Sequence, residues 1–150
     1  MSQVNLERVK TLIAPAEIFA EEKVTNEVSM ENYQNAKIVI QSGAGEETET
    51  TAHIIGVTYK GTEHEIVLSK IKIGNNIENI IDLTANQLSH NDCSAFKLKI
   101  DAVENSTIKG CVLLVLGEPR YGYDDCYVEP IVETTETTET TETTETNTEE

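Results

Sequence analysis

From Ala36 onward the chain is a succession of short β-branched segments, each stopped by a Gly- or Asn-rich turn within about 8–12 residues. That punctuation leaves room for little but an antiparallel β fold. Phe96-Lys97-Leu98-Lys99-Ile100 shows it most clearly. Its apolar side chains fall on one face and its charged ones on the other, the period of a strand buried on one side only. Lys37-Ile38-Val39-Ile40-Gln41-Ser42 ends at Gly43-Ala44-Gly45. Residues 50–59 and 62–69 flank Lys60-Gly61 and predict a hairpin. Ile71 and Ile73 precede Gly74-Asn75-Asn76, residues 77–83 form a further apolar segment, and 85–92 read as a turn or one helical turn. Cys111 to Leu116 is apolar at every position, which predicts a central strand.

Seven to eight such strands predict an all-β antiparallel sandwich, and Greek-key connections suit it. With no Trp, two Phe and five Tyr, the core must rest on Ile, Val and Leu. Residues 32–132 hold the sandwich. Residues 1–31 form an N-terminal arm and first-strand region. There Val4, Leu6, Val9, Leu12 and Ile13 suit either one face of a short helix or a loose arm ending at Pro15. Ala16-Glu17-Ile18-Phe19-Ala20 reads as a first strand and 21–32 as a polar connection.

Residues 133–150 are of a different kind. Glu-Thr-Thr repeats four times from Glu133 to Thr144, with no apolar side chain larger than a Thr methyl. Such a segment cannot bury enough surface to offset its ordering entropy, so it reads as a disordered tail. It also carries much of the charge. The chain has 11 Lys+Arg against 27 Asp+Glu, a formal net of −16. Seven of the acidic side chains lie in the tail, which leaves residues 1–132 with 20 against 11, a net of −9. A chain this acidic is a poor partner for nucleic acid or an anionic membrane, both of which call for clustered Lys and Arg. Residues 1–20 lack the basic and apolar regions of a secretory signal, and no apolar run approaches a membrane span. The expectation is a protein made in the cytoplasm.

Candidate chemistry is sparse, and no cofactor or metal is expected. Gly43-Ala44-Gly45-Glu46-Glu47 lacks the third Gly of a phosphate loop and carries two glutamates that would repel the ligand. Glu63-His64-Glu65 places the His opposite both glutamates on a strand. His53 and His64 lie on the two arms of the hairpin about Lys60-Gly61, and a two-His site there would lack a clear third ligand. His90-Asn91-Asp92-Cys93 holds a thiol and a base, but in a loop tetrapeptide rather than brought together by a fold. Cys111 reads as a small buried hydrophobe, and Cys93 and Cys126 as loop residues whose disulfide a reducing compartment disfavours. Asp124-Asp125 with Glu118 and Glu129 lack EF-hand spacing. Asn105-Ser106-Thr107 matches the glycosylation pattern, idle without secretion. No catalytic set emerges, and the chain reads as a non-enzyme. The cluster of greatest interest is Arg120, Tyr121, Tyr123 and Tyr127, residue types enriched at protein–protein contacts. Packing at one end of the sandwich is the other use for it.

Three stretches carry a family resemblance: Asn32-Tyr33-Gln34-Asn35-Ala36-Lys37-Ile38-Val39-Ile40-Gln41-Ser42-Gly43, then Phe96-Lys97-Leu98-Lys99-Ile100, then Val112-Leu113-Leu114-Val115-Leu116-Gly117-Glu118-Pro119-Arg120-Tyr121. In their order and pattern, residues 32–123 resemble small all-β structural proteins of tailed phages and prophages. The tail and the cysteine-containing loop depart from that pattern. The resemblance implies a virion protein of the head decoration (cement) type, bound outside the capsid lattice. Its partners would be major capsid protein subunits, with self-association where the shell has a symmetry axis. It implies no active site. The competing reading is a carbohydrate- or ligand-binding sandwich on a tail or cell surface, which the absence of Trp disfavours.

Overall fold

A computed structural model describes residues 8–119 and 128–132. Among them are nine strands: β1 (Arg8–Ala16), β2 (Lys23–Val24), β3 (Val28–Ser29), β4 (Tyr33–Ser42), β5 (Thr48–Thr58), β6 (Glu63–Ile73), β7 (Glu78–Thr84), β8 (Cys93–Ile100) and β9 (Gly110–Pro119). One short helix, α1 (Ala85–Ser89), lies between β7 and β8. The strands form two antiparallel sheets. The four-stranded sheet runs β1-β9-β4-β7, and the five-stranded sheet runs β2-β8-β5-β6 with β3 also paired to β8. The all-β antiparallel sandwich expected from the strand pattern is therefore the fold. Apart from β2 to β3 and the β5–β6 hairpin, every connection between strands crosses from one sheet to the other. Together with this strand order, that is a jelly roll, two interleaved Greek keys.

The alternation read in the sequence decides what lies between the sheets. Ile38 and Ile40 of β4, Ile54 of β5, Leu83 of β7, Phe96, Leu98 and Ile100 of β8, and Val112, Leu114 and Leu116 of β9 are all fully buried. The segment 111–116 is central as expected, with β1 on one side and β4 on the other. Only its even-numbered residues enter the core. Cys111, Leu113 and Val115 point out of the sandwich and are half-buried.

The N-terminal region departs from expectation. The first strand is Arg8–Ala16, not Ala16–Ala20, and it is neither helix nor loose arm, for it pairs with β9 from Arg8↔Leu116 to Ala16↔Gly110. Two register breaks, after Thr11 and after Ile13, blur the two-residue period. They also let Pro15 sit in an edge strand. Residues 17–20 turn, and their apolar character has another cause: Ile18 and Phe19 are plugs in the core with no exposed surface. The Phe19 carbonyl accepts from the Val103 amide at 2.8 Å. The polar connection 21–32 contains two short strands joined through Thr25, which is buried. Its amide donates to the Leu98 carbonyl at 2.8 Å and its Oγ1 accepts from the Leu98 amide at 2.9 Å. A side-chain oxygen thus stands in for a backbone carbonyl, and pairing with β8 continues across the break.

The segment 85–92 does contain a single helical turn. Thr84 and Gln87 close a capping box at its start, the Thr84 Oγ1 accepting from the Gln87 amide and the Gln87 Oε1 from the Thr84 amide.

The β5–β6 hairpin turns at residues 59–61. The Gly61 amide donates to the Thr58 carbonyl, the Thr58 amide donates to the Thr62 carbonyl, and Gly61 has φ +87°. That is a type I turn followed by a left-handed residue, which glycine supplies without strain. Farther along, the register slips. Ile54 pairs with Val67 but Ile55 pairs with Glu65, so Ile66 is an extra, bulged residue. Its side chain packs where Gly56 has none: a Cβ on Gly56 would collide with Ile66 Cδ1 and lie 2.7 Å from Cys93 Sγ.

Candidate interaction surface

The two sheets present outer faces of different chemistry: the four-stranded one carries a contiguous apolar patch, whereas on the five-stranded one the exposed Leu68 and Val24 are set apart by His53 and Lys99. On the four-stranded sheet the register lines up Thr11, Leu113, Val39 and Ile80 across all four strands. The next row holds Val9, Val115, Lys37 and Asp82, and the row on the other side Cys111, Gln41 and Glu78. Side chains paired in this way lie about 4.5–5.5 Å apart at Cβ, so Val9, Val115, Leu113, Val39 and Ile80 form one apolar patch. Val9 is 64% exposed and Ile80 55%. Lys37 and Asp82 flank the patch on one side, Gln41 and Glu78 on the other, where the Gln41 Nε2 donates to Glu78 Oε2 at 2.8 Å. An apolar patch rimmed by polar groups is the usual form of a protein contact site.

The five-stranded sheet faces outward with ion pairs. Lys97 Nζ lies 2.7 Å from Glu63 Oε2, Lys72 Nζ 3.3 Å from Glu47 Oε2, and Lys99 Nζ 4.0 Å from Glu22 Oε1. His53 sits among them on β5. Its Nδ1 is 2.6 Å from Glu65 Oε1, and its Nε2 is 3.1 Å from both carboxylate oxygens of Asp101. Burial, the largest influence, lowers the His53 pKa, but the bonds to Asp101 and Glu65 and their charges together outweigh it and hold the pKa above 6.5.

The sequence-based candidates fall as follows. Arg120, Tyr121, Tyr123 and Tyr127 lie outside the described residues, as do Asp124, Asp125 and Cys126. The chain on either side of them is anchored. Pro119 pairs with Tyr33, Val128 is buried, and Ile131 forms a parallel bridge with Ile13. The backbone carbonyl of Glu129 accepts from Asn26 Nδ2 at 2.6 Å. His53 and His64 do not face each other: the turn at residues 59–61 pairs His64 with Gly56, three positions short of His53, and His53 pairs with Leu68. His90 is exposed after α1, whereas Cys93 is not a loop residue but the buried first residue of β8, with a free thiol. Burial first, then the charge of Asp92, push the Cys93 thiol pKa up, the opposite of what a nucleophile needs. Cys111 is likewise free and only half-buried. Gly43 and Gly45 belong to a loop locked onto the β6–β7 turn, accepting from the amides of Asn76 and Asn75 at 3.0 and 2.9 Å. Among the described residues, no cluster of three His, Cys, Asp or Glu is arranged to hold a metal ion, and no helix is long and apolar enough to cross a membrane.

Sequence reasoning missed the apolar patch and the His53 cluster. The patch had a signal in the unbroken apolar run 111–116. The cluster had none, since it depends on a bulge.

No family model matches the sequence, and no curated protein matches it. Solved structures are similar to it. The SPBc2 prophage-derived protein YomS is similar over 79% of this chain and 98% of its own, with a TM-score of 0.52 at 11% identity. Infectious bursal disease virus of the Gx strain matches with a TM-score of 0.43 at 10% identity, over 80% of this chain and a third (33%) of that one. The VP2 subviral particle of the same virus matches with a TM-score of 0.40 at 10% identity, over 78% of this chain and 34% of that one. The likeness to YomS is one of fold, and the two weaker ones add nothing to it.

Proposed function

We propose that the chain is a non-enzymatic structural protein of a phage virion, a capsid decoration protein bound to the outer face of the head. The observation that carries the reading is the apolar patch Val9, Val115, Leu113, Val39 and Ile80, spread across all four strands of one jelly-roll sheet. An open sheet face of this kind suits a broad protein surface better than a small ligand, which calls for a concave site. The partners are major capsid protein subunits, met by the four-stranded sheet, and the ion-paired five-stranded sheet faces away. A net charge of −16 suits a solvent-facing position and not the DNA-filled interior. The acidic tail 133–150 then contributes negative charge that favours solubility, and Arg120, Tyr121, Tyr123 and Tyr127 are further candidate contact residues. Carbohydrate binding has less support: of the described aromatic residues, Phe19, Phe96 and Tyr33 are buried and Tyr59 alone is exposed, at the tip of a hairpin.

The test is quantitative mass spectrometry on purified particles of the virus or prophage that encodes the chain. A copy number within a few-fold of the major capsid protein is the expected result. Absence from the particles overturns the proposal.

A further inference from the structure

His53 is built in a way that the docking role does not require. Its side chain is 12% exposed, although it lies on the outer face of the sheet. One ring nitrogen is set on Glu65 and the other on Asp101, so both partners are carboxylates. An ionised carboxylate only accepts hydrogen bonds, and a neutral imidazole has a single N–H to give. Only the imidazolium satisfies both partners at once. The arrangement is not a chelate either, because the two carboxylates lie at opposite nitrogens of the ring.

Three elements meet at this point. His53 is on β5, Glu65 on β6, and Asp101 directly follows β8. Glu65 reaches the ring because of the bulge at Ile66. Glu65 pairs with Ile55 and Leu68 with His53, so two residues three apart on β6 share the outer face, which an unbroken strand forbids. Asp101 is fixed through its backbone, its amide donating to the Thr51 carbonyl at 2.9 Å and its carbonyl accepting from Thr50 Oγ1 at 2.9 Å. β6 is the open edge of its sheet, and the cluster ties that edge across β5 to the end of β8.

We propose that protonated His53 is a proton-operated clasp, fastening the bulged part of edge strand β6 to Asp101 and releasing it when the ring loses its proton.

The other charged groups on this face are accounted for. Register sets Lys99 of β8 opposite His53, but Lys99 leans to Glu22, and Lys97 is held by Glu63 of β6. Lys70 of β6 stands opposite Thr51, one row away. The two groups bonded to the ring are both carboxyl groups.

The sign follows from linkage. The folded-state pKa of His53 is raised above 6.5, so its stabilisation is complete below 6.5 and is lost as pH rises through the raised value. Each unit of elevation corresponds to about a tenfold tighter hold on the proton in the folded state.

The clasp is tested on the full chain by two readouts, an NMR titration of the three His rings and amide exchange along β6 from about pH 6 to about pH 9, bracketing the ordinary His range. The expected result is a His53 pKa above 6.5, with exchange at residues 65–68, corrected for intrinsic rate, rising several-fold as His53 deprotonates. His53→Gln should show the faster exchange at every pH, and His64→Gln and His90→Gln should leave the wild-type profile intact. A His53 pKa at or below 6.5 overturns the clasp, as does exchange at 65–68 indifferent to the ring's protonation. The titration needs only the wild-type chain, so it stands even if His53→Gln fails to fold.

Discussion

The two outer faces of this sandwich are made by the same kind of strand and differ in where they place apolar side chains: contiguous on the four-stranded sheet, and on the five-stranded one, at Leu68 and Val24, separated by His53 and Lys99. In the five-stranded sheet, outward positions carry Glu63, Glu65, Lys97 and Lys99, joined into pairs. In the four-stranded sheet, outward positions of β9 and β4 carry Leu113, Val115 and Val39, with Val9 and Ile80 beside them. Both sheets bury their inward side equally well, since Leu98 and Leu114 are each fully buried. The core therefore does not require the outer apolar row. Water would be better met by Lys at those positions, as at Lys97 and Lys99 of β8. The difference separates residues that fold the protein from residues free to serve a partner.

The sharpest test of that separation lies within β9. Leu114→Ala should cost about 2–5 kcal/mol in urea unfolding, the range for a fully buried Leu. Leu113→Ala, one residue along and half-buried, should cost less than half as much. Equal costs would place both side chains in the folding core and remove the distinction. Next in size is Gly56→Ala. Its methyl group would press on Ile66 and Cys93, and a loss of about 1–3 kcal/mol is expected, as for other overpacked cores. A neutral result would mean that the bulge at Ile66 yields easily, which would weaken the clasp at His53. The smallest effect belongs to the charged face. Breaking the Lys97–Glu63 pair with Lys97→Ala should cost about 0.2–1 kcal/mol, given that Glu63 is 47% exposed, and that cost should shrink at high salt. A larger loss would make the ion-paired sheet a main source of stability and overturn the contrast between the faces.

How far the fold could be read from the sequence depended on how local its causes are. The strands 95–101 and 111–116 were legible because period-2 alternation and an apolar run are written in consecutive residues. So was the hairpin around Lys60-Gly61. The strand Arg8–Ala16 was not, because two register breaks scramble its alternation and place Leu12 and Ile13 in the core side by side. Ile18 and Phe19 imitated a strand while acting as plugs. The interaction surface was legible only in part. An apolar run such as Cys111 to Leu116 signals a central strand, but whether its second face is covered by protein or left to water depends on what packs beyond the sheet. The His53 cluster needed the pairing of β5 with β6, where a single bulged residue sets His53 opposite Leu68 while leaving Glu65 on the same outer face.

The central claim is that the apolar row on the four-stranded sheet meets the capsid shell. Its most direct test is cosedimentation of the purified chain with shells of the encoding virus assembled without it, for wild type, Leu113→Asp and Lys97→Glu. The account predicts that wild type and Lys97→Glu sediment with the shells and that Leu113→Asp, folded by circular dichroism, stays in the supernatant. Leu113→Asp binding as well as wild type would contradict it.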